Sequence, residues 1–477
     1  MRFFLFNMGA EYRLMLFFFL TSACLENGLY AQTDSLTGDS VYLNNLYISG
    51  NKKTKPFIIL RELTFLPRQW YNKQELTEKI ERSRNNLMNT SLFNFVDVEP
   101  KYLGDTVDLN MRVTERWYIW PAPEFEFVDP NFNTWLKTKD LSRTSYGFNV
   151  TQYNFRGRNE TVRLRMKFGY NQQYSLTYEI PYLDRQRKLG VGLYLSYYQN
   201  YQVNTATEDN KRVFFTLPGG VSRDEFSASY RFQYRPANYA RHYFNTKFNS
   251  VLVRDSLSRL FPDYLADGFN SKKFLEFGYQ FNYDKRDYSP YPLVGRFYNL
   301  SLSKPDINLA KGKATNVFIT YAQIKRYFKV SEKLYYAYSL TGKYTFYKTL
   351  PYYFQRGLGY SDFVRGYEYF VIDAQHYAIA KNSLKIRLLE RKEYRLGFIG
   401  TEKFNRVFLA SFLNFNVDVA YARDKLYTAN NFLANRMLIG GGIGLDLISF
   451  YDVVFRLEYS LNHIGQSGFF VHFSRPI

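Results

Sequence analysis

The chain has 477 residues and a formal net charge of +20, and 20% of its residues are aromatic although its mean hydropathy is only −0.39. A large soluble core would consist mostly of Leu, Ile and Val, so 45 Phe and 45 Tyr in a polar chain exclude an ordinary soluble protein. Past the first few dozen residues, no stretch approaches the roughly 18 apolar residues of a membrane helix, which excludes a helical membrane topology. Lys and Arg are spread along the chain and not clustered, so we predict no nucleic-acid partner.

The N-terminus is typical of an export signal. Residues 14–25 form an apolar stretch that follows Arg2 and Arg13, and this stretch is too short to anchor the chain in a bilayer. We predict a signal peptide over residues 1–31 with cleavage after Ala31. Lipidation at Cys24 is the alternative, because the three residues before it roughly match a lipobox. Either product leaves the cytoplasm.

A linker over residues 32–40 is predicted to lead into a small α/β domain over residues 41–116. Asn72, with Glu75 three residues later, forms a capping-box-like start for a helix, and Thr54 is the predicted cap of the helix before it. The predicted elements are a strand over 41–48, a helix over 57–63, a helix from 73, and strands over 93–98 and 107–113.

Residues 117–477 alternate between apolar and polar side chains with a period of two. In residues 453–461, for example, Phe455, Leu457 and Tyr459 alternate with Arg456 and Glu458. One face of each such strand is apolar and aromatic while the other carries charge, as in transmembrane barrels. The fold class we predict is mainly β: a transmembrane antiparallel β-barrel of about 16 strands, preceded by one small α/β domain.

One charged, glycine-containing stretch between two such strands stands out as a functional loop. It spans residues 362–370 and includes Arg365 followed by Gly366. Glycine permits a sharp bend, from which the guanidinium can reach a carboxylate. In a closed barrel the loop could fold into the lumen and pair with an acid on the inner wall. An exposed loop with an ordinary Arg-Gly turn is the alternative.

Several motifs, in their order and spacing, resemble the BamA/TamA family of outer-membrane proteins. The small α/β domain resembles the POTRA module of that family. The resemblance extends over nearly all of the chain after the signal peptide. The matching positions are a barrel signature (Asp284, Arg286, Asp287, Pro292, Gly295), a lumen-loop motif (Val364, Arg365, Gly366, Tyr367), an acid partner for the loop (Asp418, or Asp446 as the alternative) and a C-terminal β-signal (Gln466, Gly468, Val471, Phe473).

The resemblance implies a location in the outer membrane of a Gram-negative bacterium, with the POTRA-like domain in the periplasm. It also implies that this domain adds extended polypeptides to a sheet edge and that the barrel opens along a seam between its first and last strands. Ala420 replaces the glycine usual near Asp418 in the family. The expected partners are outer-membrane lipid, unfolded β-barrel or secreted polypeptide clients, and accessory periplasmic or lipoprotein subunits.

The sequence therefore favours a factor that assists insertion of β-barrel proteins into the outer membrane. The alternative is a polypeptide secretion pore of the two-partner-secretion type. No nucleophile or acid-pair motif is evident, so we predict no enzymatic activity. The four histidines are scattered without metal-ligand spacing, and we predict no metal and no cofactor.

Overall fold

The structure is a computed structural model that describes residues 40–127, 144–266, 268–309 and 315–473. The predicted signal peptide, its cleavage site, the alternative lipidation site and the linker up to residue 39 lie outside the described residues. None of the described helices is long and apolar enough to cross a membrane.

The N-terminal domain has two helices packed on one face of a four-stranded sheet. The strand order is β2-β1-β4-β3, with β1 and β4 parallel and the other neighbours antiparallel. Apolar side chains from both layers, such as Leu43, Ile58, Leu87 and Leu109, form a fully buried core. The elements are β1 (Ser40–Ser49), α1 (Pro56–Glu62), β2 (Gln69–Asn72), α2 (Lys73–Asn89), β3 (Phe93–Leu103) and β4 (Thr106–Glu115).

Two details of this domain differ from the sequence-based prediction. The short strand β2 was not predicted, and Thr54 does not cap α1. The Thr54 hydroxyl donates to Glu115 at 2.7 Å, and α1 begins with Pro56, whose fixed φ suits a first helical position. The predicted cap of α2 is present, because the Asn72 side chain accepts hydrogen bonds from the backbone at positions 74 and 75.

In the residues that the structure describes, sixteen antiparallel strands form the second, larger sheet, which confirms the predicted fold class. The sheet runs from β5 at one edge to β22 at the other, and β10 and β11 form a separate hairpin between β9 and β12. The strands are β5 (Ile119–Phe127), β6 (Thr144–Phe155), β7 (Glu160–Gly169), β8 (Asn171–Ile180), β9 (Leu189–Asn200), β10 (Gln202–Glu208), β11 (Lys211–Thr216), β12 (Arg223–Tyr234), β13 (Ala240–Val253), β14 (Ser271–Arg286), β15 (Gly295–Asn308), β16 (Phe318–Lys329), β17 (Leu334–Phe346), β18 (His376–Arg395), β19 (Arg406–Arg423), β20 (Met437–Ser449), β21 (Val454–Asn462) and β22 (Ser467–Phe473). Among the described parts of its connections are two short helices, α3 (Asp255–Leu260) and α4 (Glu402–Asn405).

The barrel strands bury polar side chains and expose apolar ones, the reverse of a soluble sheet. In β21, Arg456 and Glu458 are almost fully buried, whereas Leu457 and Tyr459 between them are 45% and 41% exposed. Successive residues of a strand point to opposite faces, so the charged set faces the lumen and the apolar set faces outward. The outward set forms the surface that a bilayer would cover.

The N-terminal domain is docked against one end of the barrel. It contacts the turns that follow β6, β8, β12, β14, β18 and β20, for example through the backbone of Lys55 to Gly157 and the Asn89 side chain to Ser289. These turns are separated from the domain by up to several hundred residues in the chain. The domain therefore covers this mouth of the barrel.

Two ion pairs, whose carboxylates are 3% and 15% exposed, dominate that interface. The Arg235 guanidinium donates to both carboxylate oxygens of Glu62 at 2.6 and 2.7 Å, and Tyr182 donates to the same carboxylate. The Arg116 guanidinium donates to both oxygens of Asp452 at 2.8 and 2.9 Å. Such two-point pairs fix orientation as well as distance, so they set how the domain sits on the barrel.

The Arg116–Asp452 pair should make docking sensitive to acid. Burial opposes ionisation of Asp452, but the hydrogen bonds and charge of Arg116 outweigh burial and lower the pKa of this carboxyl below its ordinary value of 3.8. A carboxyl with a lowered pKa stabilises the docked state above that ordinary value and loses this contribution as the pH falls below it. We expect energy transfer between dyes on Glu78→Cys and Glu332→Cys to change as the pH is lowered through this range.

An Asp452→Asn variant is the control for the acid experiment. It should start with a weaker interface at neutral pH and show a smaller change on acidification, because the titrating group is gone. An identical pH profile for the variant and the parent protein would contradict the assignment to Asp452.

Candidate functional site inside the barrel

The connection between β17 and β18, which we call the arginine loop (residues 347–375), folds into the lumen. Val364, Arg365 and Tyr367 near its tip are each at most 3% exposed. Gly366 has a φ of +79°, and a Cβ at this position would lie 2.6 Å from the backbone oxygen of Leu461. Both observations require glycine, because the left-handed conformation and the close approach each penalise a side chain. In the structure the loop is folded into the lumen and is not an exposed Arg-Gly turn.

Arg365 lies between two carboxylates of the inner wall. Its Nη1 donates to Asp418 at 2.7 Å, its backbone N–H donates to the same carboxylate at 3.1 Å, and its Nε donates to Glu458 at 3.2 Å. Lys381 adds a second cation 3.8 Å from Asp418. All three side chains of the Arg365 pairs are at most 4% exposed. Buried charges persist only when paired and hydrogen-bonded, so this cluster holds the tip of the loop in place.

Asp446, the alternative acid partner in the sequence-based prediction, lies two contacts beyond Glu458 along the same network. Its carboxylate accepts from Arg456 Nε at 2.5 Å and Nη2 at 2.7 Å, and Arg456 Nη1 donates to Glu458 at 3.4 Å. Tyr291 donates its hydroxyl to Asp446 at 2.8 Å. A continuous chain of charges therefore leads from Asp418 through Arg365, Glu458, Arg456 and Asp446 to Tyr291.

Tyr291 belongs to the turn over residues 287–294, which enters the lumen from the end covered by the N-terminal domain. The residues of the predicted barrel signature shape this turn. Arg286 pairs with Asp284 at 2.6 Å, Asp287 accepts from the backbone of Leu293 at 3.1 Å, and the Pro292 carbonyl accepts from buried Lys385 at 3.4 Å. Gly295 has a φ of +117°, and a Cβ there would lie 2.2 Å from the backbone oxygen of Lys285. The signature thus positions Tyr291 against Asp446.

The wall is shaped to receive the arginine loop. A Cβ on Gly440 in β20 would lie 1.8 Å from the backbone oxygen of Arg365, so only glycine lets the loop lie this close to the wall. Val364 and Tyr367 join a buried apolar cluster with Ala420 and Leu438. Ala420, where the family usually has glycine, is accommodated in this cluster with no exposed surface.

The hairpin of β10 and β11 covers the arginine loop from the far end of the barrel. Asn210 at its turn is completely buried. Its side-chain amide donates to the Val371 carbonyl at 3.0 Å and to Asn431 at 2.6 Å, and its oxygen accepts from the backbone of Leu433 at 3.0 Å. One asparagine therefore joins the hairpin, the arginine loop and the connection between β19 and β20.

The predicted β-signal lies along the edge strand β22. Phe469 and Val471 are 83% and 56% exposed and face outward, whereas Gly468 pairs with Ser460 on the lumen side. Gln466 precedes the strand, and its backbone N–H donates to Asn462 at 3.0 Å. Phe473 ends the strand and pairs with Phe455 of β21.

Sequence reasoning missed Arg456 and Glu458, which hold the centre of the charge network. The sequence did contain a sign of their role, because both are charged residues at alternate positions of a strand whose outward residues are apolar. Inward charges in a filled lumen need partners. Asp446 and Arg456 are also directly opposite each other in the β20–β21 pairing, which a correct register would have revealed.

Comparison with known proteins identifies the family. The model of the Omp85 superfamily domain matches residues 154–462. The chain belongs to the Omp85 superfamily. A POTRA model, described as a surface antigen variable number repeat, matches residues 41–116. These findings confirm the predicted resemblance, and the members of this superfamily are assembly or transport factors.

Individual relatives are distant. BamA of Neisseria meningitidis serogroup B, an outer membrane protein assembly factor, is 35% identical over 82 residues, which are 17% of this chain and 10% of that protein. The match thus spans about a tenth of that relative's length. BamA of Haemophilus ducreyi lacking POTRA domains 1–3 has a TM-score of 0.49 at 15% identity, over 90% of this chain and 83% of that one. CdiB of Acinetobacter baumannii has a TM-score of 0.47 at 13% identity, over 91% of this chain and 74% of that one.

This Omp85 protein is accordingly an outer-membrane protein with its POTRA domain in the periplasm, as predicted. The mouth that the POTRA domain covers is the periplasmic one, and the β10–β11 hairpin lies at the opposite, extracellular end. The arginine loop therefore enters from outside the cell, while the turn over residues 287–294 enters from the periplasm.

Proposed function

We propose that this Omp85 protein assists insertion of β-barrel proteins into the outer membrane, with no covalent chemistry. Clients would be unfolded outer-membrane polypeptides delivered through the periplasm, and accessory periplasmic or lipoprotein subunits would assist. The POTRA domain would receive extended client segments at a sheet edge, and the client would then enter the bilayer along the edges of the large sheet.

The observation that carries this proposal is the filling of the lumen from both ends. The arginine loop, the turn over residues 287–294 and the docked POTRA domain all lie on the route through the barrel. A polypeptide passing through the pore would have to displace all three, including the buried pair between Arg365 and Asp418. Lateral delivery leaves all of these contacts in place.

The edges of the sheet support the same route. In the described part of the chain, β5 and β22 end the sixteen-stranded order and no backbone ladder joins them. Unpaired backbone groups in lipid each cost several kcal/mol, so an edge strand in a bilayer is strongly driven to pair. A client strand could supply those hydrogen bonds.

Photocrosslinking in living cells tests this function. A photoreactive amino acid at Phe469 of β22 or Phe125 of β5, both outward-facing, should capture nascent β-barrel proteins, identified by mass spectrometry. Phe244 in β13 is the matched control, because it is also outward-facing and 49% exposed but lies in mid-sheet. We expect few or no captured clients from that position.

Depletion of the protein separates this function from secretion. A decrease of several outer-membrane β-barrel proteins would support insertion. Loss of one secreted polypeptide with an unchanged outer-membrane profile would instead support a two-partner-secretion pore and overturn the proposal.

A further inference from the structure

Three side chains of metal-ligand type meet in the lumen beside the edge strand. Glu368 lies in the arginine loop, Glu458 in β21 and His472 in β22. One carboxylate oxygen or imidazole nitrogen from each lies within 4.8 Å of those of the other two. Because the three residues come from three separate elements, their spacing in the sequence gives no sign of a site.

Glu368 is the unusual member of this group. Both of its carboxylate oxygens are shielded from solvent, and neither accepts a hydrogen bond from the described residues. Burying an ionised carboxylate without a partner is costly. The neighbouring cation, Arg365, is already paired with Asp418 and Glu458. The position therefore has a buried carboxylate whose charge is not balanced by a cation of its own.

His472 is oriented by the loop. It pairs with Arg456 across β21 and β22, which places it on the lumen side. Its ring stacks on Phe363 of the arginine loop with centroids 6.1 Å apart and planes 15° apart. Stacking uses the face of the imidazole, whereas the ring nitrogens bind ligands in the ring plane. A second ring contact, between Tyr369 and Phe470, holds the loop against the same strand at 5.3 Å.

We propose that Glu368, Glu458 and His472 form a binding site for a divalent transition-metal ion such as Zn²⁺. One imidazole and two carboxylates are ligands that such ions accept, with remaining positions open to water. Metal–ligand bonds of about 2.0–2.2 Å require the three ligand atoms to move closer by roughly 1 Å. Glu368 can supply this movement because no hydrogen bond holds its carboxylate.

The bound ion ties the arginine loop to the last strand of the barrel. Glu458 keeps its ion pair with Arg365 through Oε2, while its Oε1, which accepts from Ser460 at 2.7 Å, has a lone pair for the metal. Metal binding would therefore stabilise the loop and the edge strand together. The site does not depend on which client the protein serves.

Direct titration tests the site. The full mature protein without a histidine tag, in detergent micelles and stripped of metal by a chelator, is titrated with Zn²⁺ against a chromophoric chelator. We expect one Zn²⁺ per chain, weakened more than about tenfold by Glu368→Gln and by His472→Asn. Excess Mg²⁺ should not compete, because it prefers an octahedron of oxygen ligands. His242→Asn in β13 is the matched control and should bind like the parent protein.

Folding is monitored by the heat-dependent shift of the barrel on a gel. Glu368→Gln removes no hydrogen bond and should leave this shift unchanged in the absence of metal. This variant therefore tests metal binding even if His472→Asn does not fold. Zn²⁺ should raise the shift temperature of the parent protein and leave that of Glu368→Gln unchanged. Equal Zn²⁺ binding by the parent protein and Glu368→Gln, or no binding by the parent protein, would overturn the proposal.

Discussion

Replacing Arg365 with alanine should lower the free energy of unfolding of the barrel by on the order of 3 kcal/mol, because removing one partner leaves an uncompensated buried charge. Here it leaves two carboxylates, Asp418 and Glu458, both at most 1% exposed and both hydrogen-bonded by the guanidinium. The measurement is the temperature at which the compact barrel unfolds on a gel, together with urea unfolding in detergent. We expect a clear decrease in both, with the POTRA domain still folded.

Lys329→Ala is the matched control for Arg365→Ala. Lys329 also forms a cation–carboxylate contact in the barrel, with Glu332, but both partners are exposed to solvent. Exposed pairs contribute little, so unfolding should be unchanged. If Arg365→Ala unfolds like this control, the buried network does not hold the loop.

The second large effect is expected at the POTRA interface. Arg235→Ala removes both hydrogen bonds to Glu62, which is 2% exposed and also accepts from Tyr182. Burial opposes ionisation of Glu62, but the charge and hydrogen bonds of Arg235 lower its pKa overall, so this carboxylate depends on the arginine. Breaking a buried pair costs about 3–5 kcal/mol. We therefore expect the POTRA domain to leave the periplasmic mouth, seen as a change in energy transfer between dyes on the domain and a barrel turn.

Two variants control for this result. Asp97→Ala breaks a further ion pair between the domains, with Arg406, and leaves the Arg406 side chain in place. The Asp97 and Arg406 side chains are 42% and 28% exposed, so docking should change little. Adding Glu62→Gln to Arg235→Ala removes the stranded charge and should restore part of the docking. Unchanged energy transfer in Arg235→Ala would show that other contacts suffice.

The sequence predicts the architecture well because the physics of a barrel strand is local. Alternating side chains such as Arg456 and Leu457 assign each residue to a face without knowledge of its neighbours. The same alternation predicts about sixteen strands, but it leaves open whether the loop around Arg365 folds inward or stays exposed. Local reasoning fails where a residue's contacts are made with residues far away in the sequence. Thr54 does not cap the helix as predicted, because its hydroxyl donates to Glu115, 61 residues away. Strand β2 was missed because four residues between two helices carry no periodic signal.

The site was only partly predictable for the same reason. The motif around Arg365 is recognisable in the chain, but its second carboxylate, Glu458, is 93 residues away and lies in no motif. The assignment of Asp446 depended on strand register, which places it opposite Arg456. Glu368 and His472 lie together only because the loop folds back onto the last strand, and alternation cannot predict such a return.

The POTRA domain contacts many barrel turns, which limits how it can be exchanged between related proteins. Residues of that domain touch turns distributed from the first third of the barrel almost to its end, including those bearing Gly157, Arg235 and Asp452. A chimera that exchanges the domain alone would therefore mismatch many turns at once. A functional transplant has to carry the cognate turns with it, so domain and turns should be inherited as one unit.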